Sequence, residues 1–165
     1  SVTIYYLGLM FRIIGSIILI ISIIFSIIFI YSRNVETQIN YERFNLVAPG
    51  ILRTPDEFFI DLKDYPFKPN YMMIGDTRVH YLDEGPKDGE IIFLLHGEPA
   101  WSYLFRKMIP TLTDAGYRVI APDMIGFGKS DKYISTDMYT HQMHVDTMLE
   151  LVTRLDLQNL SLIHI

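Results

Sequence analysis

Two stretches decide the fold of this chain: Ile91-Ile-Phe-Leu-Leu-His-Gly-Glu-Pro-Ala-Trp-Ser-Tyr103 and Val119-Ile-Ala-Pro-Asp-Met-Ile-Gly-Phe-Gly-Lys-Ser130. Each begins as an apolar run of strand length and then breaks into a loop of small and polar residues. A helix-like segment that ends at Gly116 lies between them. The pattern predicts a parallel α/β sheet whose functional site lies beyond the carboxyl ends of its strands.

The segments around these stretches extend the same pattern. Two short apolar runs flank Gly75-Asp76 and predict an antiparallel hairpin at a sheet edge. The other predicted elements are strands over 90–95, 117–121 and from 160, and helices over 102–115 and 139–155. In the helix over 102–115, Ser102 is expected to cap the N-terminus and Pro110 to produce a kink.

Residues 13–32 form a charge-free segment between Arg12 and Arg33, rich in isoleucine. At about 1.5 Å per residue, a helix of this length spans roughly 30 Å, the thickness of the hydrocarbon core of a bilayer. The segment therefore predicts a single-pass membrane anchor. Two alternatives stand beside it: a cleaved signal peptide, or residues translated from sequence upstream of the true start. Without an anchor, the chain is expected to be cytoplasmic.

The chain is predicted to have three parts. Residues 1–33 contain the anchor. Residues 34–70 contain four prolines and are expected to form a linker and an arm that lies on the surface of the next part. Residues 71–165 are expected to form an α/β domain that is cut within its sheet.

Composition and charge exclude several classes of function. Outside residues 1–33 the chain has 12 basic and 19 acidic residues and no basic stripe, which argues against nucleic acid as a partner. The absence of cysteine excludes disulfides and thiolate metal sites. His141 and His144 have the spacing of one helix face, but no further ligands accompany them, so no metal site is predicted.

The motif His96-Gly97-Glu98-Pro99 is the part of the chain that indicates a chemical reaction. After a buried strand, a His-Gly turn lets the backbone approach a ligand closely, and the next N–H group can point at developing negative charge. In acyl and alkyl transfer such a donor stabilises an oxyanion, commonly by roughly 3–4 kcal/mol. In an α/β-hydrolase, the loop after this strand supplies one of the two oxyanion donors.

These motifs closely resemble those of haloalkane dehalogenases, a branch of the α/β-hydrolase superfamily. The resemblance rests on Leu95-His-Gly-Glu-Pro-Ala-Trp-Ser-Tyr-Leu-Phe-Arg-Lys-Met-Ile-Pro110 and on the stretch from Val119 to Lys132. It extends over about residues 52–163, with His80-Tyr-Leu-Asp-Glu-Gly85 upstream and Leu155-Asp-Leu-Gln-Asn159 downstream. The resemblance implies an α/β-hydrolase fold in which the chain supplies the N-terminal half of a mostly parallel sheet.

The resemblance also implies an activity, the hydrolytic cleavage of a carbon–halogen bond in a small molecule without metal or cofactor. An Asp carboxylate attacks carbon, halide departs, and a water activated by a histidine hydrolyses the ester. Glu98 would give its backbone N–H to the oxyanion hole, and Trp101 would line or support the entry to the substrate site. The neighbouring loops would be shaped by His96, Gly97, Pro99, Asp123 and Gly126.

The same resemblance places the nucleophile, the catalytic histidine, its acid partner and the cap after Ile165. Residues 1–165 alone are therefore expected to be inactive. An epoxide hydrolase is the enzymatic alternative, since it shares the Asp nucleophile but uses cap tyrosines to protonate an epoxide. A membrane-tethered, non-catalytic binding protein with a hydrolase-like fold is the alternative from another class.

Overall fold

The computed structural model describes the backbone of residues 2–44 and 46–164, and the side chains of residues 12–33 and 46–164. The chain forms two compact units, Ser1–Arg43 and Phe44–Ile165. The first unit is helical, and the second contains the β-sheet structure and the two predicted loops. The segment from residue 46 to residue 70, for which the sequence predicts a linker and an arm, belongs to the second unit.

Helix α1, Val2–Phe44, runs through the first unit and ends at the first residue of the second. Its stretch Arg12–Arg33 is exposed, and among the described residues it is the one helix long and apolar enough to cross a membrane. Signal sequences share this length and composition. The helix extends beyond the predicted boundary at residue 33, because residues 34–44 contain neither proline nor glycine to end it.

All the strands in the part of the chain that the structure describes lie in the second unit. In chain order they are β1 (Leu46–Ala48), β2 (Ile51–Leu52), β3 (Asn70–Ile74), β4 (Thr77–Glu84), β5 (Ile91–Leu95), β6 (Arg118–Pro122), β7 (Lys132–Tyr133) and β8 (Ser161–His164). Five of them form the main sheet, in the order β3-β4-β6-β5-β8. β3 and β4 are the predicted antiparallel hairpin, in which Ile74 pairs with Thr77. Gly75 in its turn has a φ of 54°, which glycine adopts without steric cost.

β5 lies between two parallel neighbours in the main sheet. Ile92 pairs with Val119 of β6 on one side and with Ser161 of β8 on the other. β6 in turn pairs antiparallel with β4, where Ala121 lies opposite Leu82. The described part of the sheet is therefore mixed, with two parallel pairings and two antiparallel ones, because the predicted edge hairpin pairs within itself and with β6. The carboxyl ends of β5, β6 and β8 meet at one edge.

Two α-helices cover the sheet, α2 (Met108–Asp114) and α3 (His141–Arg154). The predicted helix over 102–115 is wrong in its first half, since a 3₁₀ turn at Ser102–Phe105 precedes α2. Pro110 lies in the first turn of α2, where its missing N–H breaks no helical hydrogen bond. Thr140 caps α3, and its side chain accepts a hydrogen bond from the Met143 N–H at 3.1 Å.

Apolar side chains fill both faces of the main sheet. On one face, Leu94 and Leu82 are buried beneath α2 and the 3₁₀ turn. On the opposite face, Phe93 and Ile120 are buried beneath Leu151 of α3. The alternation along β5 therefore follows the two-residue period of a strand that is covered on both sides.

A second, smaller sheet of three strands, in the order β1-β2-β7, joins the N-terminal arm to the loop after β6. Ile51 pairs with Tyr133. Next to this pairing, the Arg53 guanidinium donates to both carboxylate oxygens of buried Asp131, at 2.7 and 2.9 Å. The sequence does not predict this sheet, because strands of two or three residues are too short to show a hydrophobic period.

Candidate active site

Two loops follow the parallel neighbours β5 and β6 and lie at the carboxyl edge of the main sheet. The first loop, residues 96–101, carries five of the predicted site residues, and the second, residues 123–131, carries the other two. Because β5 and β6 run parallel, both loops leave the sheet on the same side. The structure therefore brings together the two motifs on which the prediction rested.

His96 connects the two loops. Its ring is fully buried, and its Nε2 accepts a hydrogen bond from the Met124 N–H at 3.0 Å. Because Nε2 accepts, the proton of the neutral ring belongs on Nδ1, which lies 3.1 Å from the Gly97 carbonyl oxygen. Burial lowers the pKa of His96 and so favours this neutral form. A neutral imidazole therefore holds the start of the second loop against the first.

We expect the second unit to lose stability as the pH falls below about 6.5, the ordinary pKa of histidine. Because the pKa of His96 is lowered in the folded state, the unfolded chain binds the proton first. The stabilising contribution is therefore complete above that pH and is lost as the pH falls towards the folded pKa. Urea unfolding, followed by the fluorescence of the single tryptophan at a series of pH values, measures this dependence.

The matched control for this prediction is His96→Gln. The glutamine amide oxygen can replace Nε2 as the acceptor for Met124, but it does not titrate in this range. We expect a weaker pH dependence in this variant than in the parent chain. Burial also lowers the pKa of His144, which accounts for part of the remaining dependence. An unchanged dependence in His96→Gln would contradict the role given to His96.

Glu98 lines the open space at the carboxyl edge of the main sheet. The residue is exposed and lies in a turn closed by the Ala100 N–H, which donates to the Gly97 carbonyl at 2.9 Å. Among the residues that the structure describes, none accepts a hydrogen bond from the Glu98 N–H. The Glu98–Pro99 peptide bond is cis. The Glu98 N–H is therefore free to bind a ligand, as an oxyanion donor must be.

The Asp123 side chain connects the second loop to the residue that directly follows the first loop. Its fully buried carboxylate accepts hydrogen bonds from His80 Nδ1, the Ser102 N–H and the Lys129 N–H, each at 2.8 Å. Burial by itself raises the pKa of Asp123, but the hydrogen bond and charge of His80 and the two backbone donors outweigh it. The pKa is therefore lowered, and the carboxylate is ionised at neutral pH. Its role in this structure is to position the loops.

Gly126 lies where no side chain fits. It has a φ of 98°, and a Cβ at this position would lie 2.6 Å from Cε1 of Tyr139. The ring of Tyr139 packs in turn against the ring of Tyr133, and its hydroxyl donates to the Tyr133 carbonyl at 3.0 Å. Gly126 therefore lets the second loop lie directly against the residues that lead into α3.

Trp101 belongs to a cluster of aromatic rings. It is half-buried and stacks on Tyr103 with 5.5 Å between the ring centroids, and it contacts Tyr65 and Phe59 at 5.4 Å each. The arm residues Phe59 and Tyr65 thereby pack on the first loop. Trp101 does not line the cleft beside Glu98. Its predicted contact with substrate stays a prediction.

An open cleft of about 430 Å³ lies beside Glu98, between the loops and the start of α3. Its lining residues are Glu98, Met124, Gly126, Phe127, Tyr139, Thr140, His141 and His144. Both histidines of α3 thus face the same space as the predicted oxyanion donor. Within the described part of the chain, no group of three His, Asp or Glu side chains is placed to hold a metal ion.

Sequence reasoning missed the residues that support the site from the N-terminal side. His80, an inward-facing histidine of β4, donates to Asp123. The Tyr65 hydroxyl lies 2.8 Å from the hydroxyl of Ser102, and burial raises the pKa of Tyr65. Ser102 is therefore a buried hydrogen-bonding partner and not the helix cap that was predicted. For His80 a signal existed, since a lone polar residue between buried apolar strand positions needs a partner.

Known proteins resemble part of this chain in both sequence and fold. Residues 90–164 match a family model described as alpha/beta hydrolase fold. Curated haloalkane dehalogenases from Psychrobacter cryohalolentis and Mycolicibacterium paratuberculosis are 57% and 54% identical over 117 residues. These matches cover 68% of this chain and 39% of each relative. The chain thus spans well under half the length of these enzymes.

Solved structures of related hydrolases superpose on this chain. The haloalkane dehalogenase DpaA from Paraglaciecola agarilytica NO2 superposes with a TM-score of 0.65 at 51% identity, over 68% of this chain and 39% of that one. An epoxide hydrolase from Vigna radiata superposes with a TM-score of 0.55 at 26% identity, over 60% and 30% of the two chains. Over its matched residues, this chain is therefore a homologue of the haloalkane dehalogenases and has the α/β-hydrolase fold.

Proposed function

We propose that this chain contributes an oxyanion donor to the hydrolytic cleavage of carbon–halogen bonds in a small halogenated substrate. The observation that carries the proposal is the free Glu98 N–H beside an open cleft, in a chain 57% identical over 117 residues to a haloalkane dehalogenase. Identity to the epoxide hydrolase is about half as high, at 26%. The dehalogenase reaction is therefore preferred over epoxide opening.

In the proposed reaction, an Asp carboxylate supplied after Ile165 attacks the halogen-bearing carbon and the halide leaves with the bonding electrons. Water then gives a proton to the catalytic histidine, which is also expected after Ile165, and adds to the resulting ester carbonyl, so that negative charge develops on the carbonyl oxygen. The Glu98 N–H would donate to that oxygen, an interaction commonly worth roughly 3–4 kcal/mol in the transition state. The bond between the carbonyl carbon and the alcohol oxygen then breaks, the alcohol leaves with the proton from the histidine, and the Asp loses a proton to solvent to become a carboxylate again. The neutral His96 and the ionised Asp123 would hold the donor in place.

A chimera tests this proposal. Residues 46–164 are joined to the part of the Psychrobacter cryohalolentis enzyme that follows its matched stretch, and halide release from a small bromoalkane is measured. We expect the chimera to release halide and the chain 1–165 alone to release none above a buffer blank. A folded but inactive chimera, made beside an active parent enzyme, would contradict the proposal. Turnover by the purified chain alone would contradict the placement of the nucleophile after Ile165.

We further propose that residues 13–32 hold the chain in a membrane as a single-pass anchor. The support is the length and apolar composition of the helix stretch Arg12–Arg33. We expect the chain to stay in the membrane pellet after alkaline carbonate extraction. A control with lysines at Ile20 and Ile24 should be released, because each charge costs about 3 kcal/mol at the centre of a span. Release of the unaltered, full-length chain would overturn the anchor.

A further inference from the structure

The direction of the Glu98 N–H is set by its own peptide group. The Gly97–Glu98 peptide bond is trans, so the Gly97 carbonyl oxygen and the Glu98 N–H point in opposite directions. The contacts of that carbonyl therefore decide where the N–H points. Two donors lie against it, His96 Nδ1 at 3.1 Å and the Ala100 N–H at 2.9 Å. The His96 ring thus orients the proposed oxyanion donor.

The second loop holds the His96 ring at two points. The Met124 N–H donates to Nε2 at 3.0 Å, and the ring of Phe127 packs edge-on against the imidazole, with 5.4 Å between the ring centroids. Both contacts come from residues 124–127. A shift of this stretch would therefore move the imidazole, and with it the Gly97 carbonyl and the donor.

Asp131 closes the second loop and ties it to β4. Its carbonyl accepts a hydrogen bond from the Gly126 N–H at 2.9 Å, and its own N–H donates to the Arg78 carbonyl at 2.9 Å. Its carboxylate is fully buried and accepts the Arg78 N–H at 2.7 Å. A buried carboxylate is costly unless a cation pairs with it, so the position of Asp131 depends on its counter-ion.

Arg53 of the N-terminal arm supplies that counter-ion. Its Nε and Nη2 donate to the two carboxylate oxygens of Asp131 at 2.7 and 2.9 Å. A bidentate pair of this kind fixes the orientation of the carboxylate as well as its distance. The Arg53 side chain is 25% exposed, whereas that of Asp131 has no exposed surface. Arg53 therefore covers the carboxylate from the solvent side and locks the end of the second loop.

We propose that Arg53 is a positioning residue for the hydrolytic reaction: by holding Asp131 it holds the second loop, the His96 ring and so the Glu98 N–H. This inference rests on the role proposed for Glu98, and it adds the N-terminal arm to the site. Negative charge reaches the carbonyl oxygen in the second chemical step, when water attacks the ester. Loss of Arg53 should therefore slow ester hydrolysis and leave the first step unchanged.

The kinetic test uses Arg53→Gln in the chimera described above. We expect kcat for halide release to fall by about tenfold, because a misplaced donor stabilises the transition state poorly. KM should fall together with kcat, since the ester accumulates, and the first turnover should appear as a burst of about one halide per enzyme molecule. A loss of folded molecules would instead lower kcat at constant KM.

Arg118→Gln is the matched control. Arg118 forms the same bidentate pair, with Asp83 at 2.8 and 2.9 Å, but at the opposite end of β6 from the second loop. Both variants remove one partly buried arginine from a carboxylate, so both are expected to lose stability. Only Arg53→Gln should change the kinetics, and Arg118→Gln should keep kcat and KM within about twofold of the parent chimera.

Combination with Glu98→Pro decides whether Arg53 acts through the donor. Without the donor its position no longer matters, so adding Arg53→Gln should lower the rate of Glu98→Pro by less than about twofold. A further tenfold loss would show that Arg53 acts by another route, and would overturn this inference while the role of Glu98 stands. Full activity of a folded Glu98→Pro variant would overturn both.

The full chain in detergent gives a readout that needs no turnover. Hydrogen exchange of residues 123–131, followed by mass spectrometry, should quicken by about tenfold in Arg53→Gln and stay at the parent rate in Arg118→Gln. If Arg53→Gln does not fold, Arg53→Lys replaces it in both experiments, since it keeps the charge but loses the bidentate geometry. Unchanged exchange, or the kcat and KM of the parent in a folded Arg53 variant, would overturn the inference.

Discussion

Replacing Asp123 by alanine is expected to lower the free energy of unfolding by about 3–5 kcal/mol, the usual cost of removing one member of a buried ionic network. Three donors would lose their acceptor at once: His80 Nδ1, the Ser102 N–H and the Lys129 N–H. His80 and Ser102 are fully buried, so neither can turn to water instead. Urea unfolding of the purified chain, followed by the fluorescence of Trp101, measures the loss.

Two further variants separate charge from packing. Asp123→Asn keeps one acceptor oxygen but turns an NH₂ group towards the remaining donors, so we expect a smaller loss of about 1–3 kcal/mol. Asp88→Ala removes an exposed carboxylate and should change the free energy by less than about 0.5 kcal/mol. A loss below about 1 kcal/mol in Asp123→Ala would show that the donors find other partners.

The second large effect concerns catalysis. In the active chimera, Glu98→Pro is expected to lower the rate of halide release by about a hundredfold or more, because proline has no N–H to donate to the oxyanion. Glu98→Gln keeps the backbone donor and changes only an exposed side chain, so this matched control should keep most of the activity. Steady-state rates of both variants with a small bromoalkane are the measurement.

The comparison is informative only if both variants fold. Thermal unfolding and the tryptophan fluorescence of the two variants should therefore match those of the parent chimera. Equal losses of rate in Glu98→Pro and Glu98→Gln would assign a role to the carboxylate itself. Full activity in a folded Glu98→Pro variant would remove the oxyanion donor from the proposed mechanism.

Most long elements of the second unit could be predicted, because each is a single apolar run or a single stretch with helical periodicity. The hairpin around Gly75, the strands β5 and β6 and the helix α3 all lie within a few residues of their predicted bounds. The errors fall where tertiary contacts override local preference. The segment from Ser102 to Phe105 is a 3₁₀ turn, since Ser102 is held by Asp123 and by Tyr65 and does not cap a helix.

The sequence by itself determined which residues enter the candidate site. His96, Gly97, Glu98 and Pro99 directly follow one buried strand and Asp123 follows the next, so a parallel sheet must bring both loops to one edge. The periodicity of a strand involves only neighbouring residues, so it can be recognised in the sequence without the structure. The resemblance carried by the motifs in these loops also implied the hydrolase fold that the relatives share.

Only the tertiary structure decided what these residues contact. His96 binds Met124 across 28 residues of chain, and Asp123 binds Ser102 across 21 and His80 across 43. Such contacts depend on strand order and register, which no local pattern encodes. The exposure of Leu162 could not be predicted for the same reason. An apolar strand residue has the same sequence signal whether or not a helix covers it. The fold places these side chains because buried donors and acceptors must find one another once the strands have paired.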